Sequence, residues 1–114
     1  MKFLHIFCLL LLFCSAQAQC PDKNIVFHNQ AMIDSFPIKF PNCKNLGPIG
    51  FSIRESELGN ITSLLPFQQL IGTQECELFI IANKKLTSLA GLDNIDSIKN
   101  GVLIQNNSIK DISA

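Results

Sequence analysis

The sequence predicts a mainly β fold: a short solenoid of about two and a half repeats behind an N-terminal strand–helix cap. Three observations predict it. Between Leu78 and Ile98, the alternating apolar residues Leu78 and Ile80 lead to Asn83. Leu86, Leu89, Leu92, Ile95 and Ile98 then follow at a strict spacing of three. Parts of this pattern recur on either side. Ile61, Leu64, Phe67 and Leu70 precede Leu86, Leu89, Leu92 and Ile95 by 25 residues, as Ile53 precedes Leu78. Asn106, Ile109 and Ile112 follow Asn83, Leu86 and Leu89 by 23. Such periods fall in the leucine-rich-repeat range, one strand per turn. Finally, a strict spacing of three does not fit an α-helix, whose apolar face alternates threes and fours.

Residues 1–18 read as a secretory signal peptide. Lys2 gives a basic start, Phe3 to Phe13 is apolar apart from His5, and Ala16 and Ala18 are small residues placed for cleavage before Gln19. The alternative, a membrane anchor, needs about 20 predominantly apolar residues, and this run is 11 residues long with His5 included. No membrane span is expected after cleavage.

Residues 19–48 read as a disulfide-containing cap. Asn24 to His28 suits a short strand around Ile25-Val26-Phe27. Asn29 is placed to cap a helix over 30–36, with Met32, Ile33 and Phe36 on one face and Pro37 as its stop. Residues 40–50 are turn-rich. Cys8 and Cys14 leave with the signal peptide, so Cys20, Cys43 and Cys76 remain in an oxidising compartment. Cys20 and Cys43 both sit in proline-containing, turn-like contexts (Cys20-Pro21 and Pro41-Asn42-Cys43) that flank one compact segment, and they are expected to pair. Cys76 falls on an apolar repeat position and reads as a buried thiol, with an intermolecular disulfide as the alternative.

Residues 49–114 read as the repeat region, incomplete at its C-terminal end. Asn83 and Asn106 are placed at corners, where a side-chain amide satisfies backbone groups that would otherwise be buried unpaired. Ser56 stands where the preceding repeat would carry its asparagine. Ala114 aligns with Gly91, so the counterparts of Leu92, Ile95 and Ile98 are not supplied. Truncation, or docking of the bare end on a partner or a second copy, would each explain that ending.

The motif L-x-I-x-x-N-x-x-L-x-x-L-x-G-L-x-x-I-x-x-I, from Leu78 to Ile98, resembles the receptor L domain of insulin-receptor and epidermal-growth-factor-receptor ectodomains. The cap, Cys20-Pro21 to Phe40-Pro41-Asn42-Cys43, is similar to that of secreted bacterial proteins with the same repeats. The resemblance covers residues 20–114. It implies a right-handed β-helix that binds polypeptide ligands and carries no catalytic residues.

Composition excludes several functions. The chain left after residue 18 has eight Lys/Arg and nine Asp/Glu, with no block of like charge. That gives no basic footprint for nucleic acid and no polybasic membrane patch. Its one histidine, His28, is a weak partner for a nucleophilic cysteine. No Cys/His spacing suits zinc, no acidic cluster forms a calcium loop, and no cofactor is expected. Glu55/Glu57 and Glu75/Glu77 read as solvated strand edges. Asn60-Ile61-Thr62 and Asn106-Asn107-Ser108 are glycosylation sequons if the source is eukaryotic.

If Phe51/Ile53, Leu78/Ile80 and Val102/Ile104 face inward, two columns line the opposite face: Ser52–Phe79–Leu103 and Arg54–Ile81–Gln105. Phe79, Ile81 and Leu103 would form an apolar patch flanked by Arg54 and Gln105, the candidate ligand-binding residues. The competing possibility is that a loop or the cap covers it. The expected function is a secreted or cell-surface, non-enzymatic recognition module for a protein, a peptide or a glycan. The alternatives are a structural spacer or fragment of a larger repeat protein without a ligand of its own and, more distantly, an enzyme or inhibitor.

Overall fold

The computed structural model describes residues 19–57 and 59–110. The segment read as a signal peptide, and Ile112 and Ala114, lie outside them. In chain order the elements are β1 (Ile25–Phe27), α1 (Gln30–Lys39), β2 (Gly50–Ile53), a 3-10 turn (Leu65–Phe67), β3 (Gly72–Gln74), β4 (Glu77–Ile81), β5 (Ile95–Ile98) and β6 (Val102–Gln105).

The strands form two parallel sheets, one ordered β1-β2-β4-β6 and one pairing β3 with β5. This corrects the expectation of a mainly β, right-handed β-helical solenoid. The molecule is a small α/β structure of two open sheets, and among the described residues no strand belongs to both. The connections explain the difference. The leucines spaced by three do not extend into long strands: Ile61–Leu70 passes through irregular chain and a 3-10 turn, and Leu86–Leu92 through turns. Among the described residues the longest element is the ten-residue helix.

Helix α1 starts where Asn29 accepts a hydrogen bond on its side chain from Met32 N at 2.8 Å. It does not stop at Pro37 but continues to Lys39. Proline removes a single N–H there, in the last turn, and the end is closed by Phe40 N donating to Phe36 O at 2.8 Å. Ile33 and Phe36 are buried, whereas Met32 is exposed. The Cys20–Cys43 disulfide (Cα–Cα 4.8 Å) ties the chain before β1 to the chain after α1.

Strand register revises the repeat alignment. Phe51 pairs with Leu78 and Ile53 with Ile80, an offset of 27. Leu78 pairs with Val102 and Ile80 with Ile104, an offset of 24. Ile53 therefore lies beside Ile80 rather than Leu78. β3 and β5 pair Gly72 with Ile95, then Thr73 with Ser97 across a bulge.

The core is packed by four phenylalanines from four segments: Phe27 on β1, Phe36 on α1, Phe51 on β2 and Phe67 on the 3-10 turn. Phe67 lies 5.1 Å from Phe27, 5.2 Å from Phe36 and 5.1 Å from Phe51 by ring centroids, all edge-on. With no Trp or Tyr in the chain, this cluster is the aromatic centre. Burying each such ring contributes about 1.5–3 kcal/mol. Around it, Ile33, Ile53, Ile61, Leu64, Leu70, Ile80 and Leu86 are fully buried.

Side-chain amides stitch successive segments together. Gln74 accepts from Leu46 N at 2.7 Å and donates to the carbonyls of Lys44 and Ile71. Gln69 donates to Phe40 O and Cys43 O. Gln30 accepts from Thr62 N and Ser63 N. Each replaces a backbone partner that short strands do not supply.

Candidate functional site

The outer face of the four-stranded sheet carries the residues singled out by alternation. Register aligns Ser52 with Phe79 and Phe79 with Leu103, and Ile81 with Gln105. β1 adds one residue to each column: Val26 pairs with Ser52, and His28 continues the pairing beside Arg54, with Arg54 N donating to Phe27 O and Ser56 N to His28 O. Sequence reasoning missed both additions. Their signal was the same alternation, around the buried Phe27.

Val26, His28, Ser52, Arg54, Phe79 and Ile81 line one open groove of about 560 Å³. Its shape follows from residue size. Ser52, the smallest side chain of its column, stands between Val26 and Phe79, so β2 forms a lane walled by the residues of β1 and β4. Phe79 and Ile81 are half-buried, whereas Val26, His28, Arg54, Leu103 and Gln105 are exposed. The groove therefore brings together Arg54, Phe79 and Ile81 of the expected set. Leu103 and Gln105 continue the same columns on β6 outside its lining. Two basic side chains, Arg54 and His28, and no carboxylate line it.

The inward face behaves differently along the sheet. Phe51, Ile53, Leu78 and Ile80 are buried. Val102 and Ile104 keep the same register but are 50% and 37% exposed. With Leu78, Leu89, Leu92, Ile95 and Ile98 they line a second, mostly apolar groove of about 250 Å³, to which Asp96 and Ser97 also contribute.

Asn83 occupies the expected corner. It is fully buried, accepts from Glu55 N at 2.9 Å and donates to Ile53 O at 2.9 Å. Its successor is Asn107, not Asn106, which corrects the sequence reading. Asn107 donates to Ile80 O at 2.8 Å, one strand along from the Asn83–Ile53 bond. The shift is one residue because the sheet repeats at 24 here, not 23. Asn106 is the counterpart of Ala82, and both hold a left-handed backbone (φ 58° and 59°). The doubled asparagine in Asn106-Asn107 was a signal that either residue could take the corner.

Of the sequons, Asn106 is exposed. Asn60 is exposed as well, and its side chain accepts from Gln30 N at 3.1 Å. Glu57, Glu75 and Glu77 are exposed. Glu55 is not the solvated edge expected: it is half-buried, with one carboxylate oxygen enclosed and unpartnered.

Cys20 and Cys43 are joined, and Cys76 is buried and free of a disulfide. Burial pushes the Cys76 thiol above its ordinary range, against a smaller lowering by a backbone hydrogen bond. His28 thus lies on the surface, away from a core thiol. Among the described residues no group of three or more His, Cys, Asp or Glu is placed to hold a metal. No helix among them is long and apolar enough to cross a membrane. With the disulfide, this is compatible with an extracellular location. No family model matches the chain, and no curated protein or solved structure matches it.

Proposed function

We propose that the chain is a non-enzymatic recognition module, secreted or held at the cell surface, that binds a protein or peptide across the outer face of its four-stranded sheet. The observation that carries this reading is the groove over β2, where aliphatic and aromatic walls meet two basic side chains. The Leu78–Ile98 motif, which resembles that of receptor modules that bind polypeptides, agrees with it, although the two sheets are not the β-helix that the resemblance implies. Glycan binding draws less support, because the chain has no Trp or Tyr to stack on a sugar.

Replacing Phe79 with Asp tests the reading. Loss of binding with secretion and circular dichroism unchanged supports it, and unchanged binding by a folded variant overturns it.

A second reading, a spacer within a larger surface assembly without a ligand of its own, is favoured by the mostly apolar groove beneath β6. There a docked neighbour would bury Val102 and Ile104. Sedimentation of Val102→Glu and Ile104→Glu variants distinguishes it: the spacer reading requires an assembly that these changes disperse.

A further inference from the structure

The groove on the outer face has a defined lane, and its chemistry differs along its length. At one level Ser52 forms a notch between Val26 and Phe79. Neighbouring strands lie about 4.8 Å apart, so the notch is about one side chain wide. Two residues on, roughly 6.6 Å along the strand, Arg54 stands between His28 and Ile81. The first level is apolar and the second is basic. No carboxylate lines either, so the guanidinium has no anionic partner within the groove.

We propose that the occupant is an extended segment of a partner protein lying along β2, with an apolar side chain in the notch over Ser52 and an acidic side chain two positions away on Arg54. This rests on the reading of the sheet face as a peptide-binding surface. Charge complementarity selects the acid. Arg presents a planar fork of donors that matches a carboxylate bidentately. Geometry selects the spacing, because side chains two apart on an extended ligand share one face and match the Ser52–Arg54 separation.

A phage-displayed library of random 12-residue peptides, fused at their C-termini, tests this against the protein secreted from cells expressing the full chain. The expected enrichment is Asp or Glu two positions from Leu, Ile, Val or Phe. Binding of an enriched peptide should fall roughly tenfold or more in Arg54→Glu, through loss of a charge-assisted pair. It should recover when the peptide's acid is changed to Lys. Ser52→Trp fills the notch without altering charge and should abolish binding while secretion and circular dichroism stay unchanged. Enriched peptides lacking an acid, or an acidic motif that Arg54→Glu leaves intact, overturn the proposal; if Ser52→Trp still blocks them, the sheet-face reading stands. Peptides indifferent to both Ser52→Trp and Phe79→Asp overturn both, as does the absence of any enrichment. A neutral oligosaccharide bound on a glycan array and blocked by Ser52→Trp would replace the peptide with a sugar.

Discussion

Asn83 and Asn107 share one amide oxygen: Asn107 Oδ1 accepts from Asn83 N at 3.0 Å and from Asn83 Nδ2 at 2.9 Å. Asn83 passes the contact back by donating to Ile53 O and accepting from Glu55 N. One buried side chain therefore serves three consecutive strands. Asn83→Ala should lower stability by about 2–3 kcal/mol, because it strands the Ile53 carbonyl and the Glu55 N–H and removes a donor from the Asn107 amide oxygen. Asn107→Ala should cost less, about 1 kcal/mol, since Asn107 is only half-buried. In urea unfolding the double variant should fall short of the sum, as expected for neighbours in one network. Additive losses would show that the two amides act independently.

Two backbone positions have opposite expected responses. Gly91 holds φ +114°, and a Cβ there would run into the Leu64 backbone. Gly91→Ala should cost about 2 kcal/mol or more, and prevent secretion if the fold is already marginal. Ala82 holds φ 59° with a side chain already present. Ala82→Gly should relieve that strain and raise stability by up to about 1 kcal/mol. Thermal unfolding of the two variants should move in opposite directions.

Cys76 should make stability fall at alkaline pH. Its pKa is raised on folding from an ordinary value of 9.0, so the unfolded chain releases this proton first. The contribution is complete below pH 9 and is lost as pH rises from there through the folded value. The urea midpoint should drop between pH 8 and pH 10, and drop less in Cys76→Ala. In the native protein the thiol should resist iodoacetamide at pH 8 and react once urea unfolds the chain.

The Cys20–Cys43 bridge closes a segment with a sequence separation of 23 residues. Reduction, or the paired change of both cysteines to alanine, should cost about 3–4 kcal/mol. The loss should concentrate in β1 and α1, which the bridge brackets, and hydrogen exchange would locate it there. Uniform loss of protection would mean that the cap and the rest unfold as one unit.

How much of this was legible in the sequence depends on whether a signal was local. Period-two alternation placed Phe79, Ile81 and Arg54 on one face because strand geometry leaves each side chain only two directions. Asn29 announced its helix for the same reason, since a cap acts within four residues. Offsets between segments were less secure. Alignment on leucines set Ile53 against Leu78 and Asn106 against Asn83, but hydrogen bonding set the registers at 27 and 24. Two-sheet topology was illegible, because the leucines spaced by three bury themselves equally well from turns as from strands. Gln30, Gln69 and Gln74 gave no signal either: a glutamine bound to distant backbone looks like any surface glutamine until the fold brings the carbonyls to it.

Those glutamines and asparagines have one more consequence. The contacts they make between segments are neutral amides, which an ionic atmosphere does not screen. The contact proposed at Arg54 is a charged one at an exposed position, which such an atmosphere weakens. If the chain binds as proposed, salt would act on that contact and on the fold separately. Moving from dilute to concentrated medium would then loosen the grip on a guest while leaving the host intact, so release would need no change of shape.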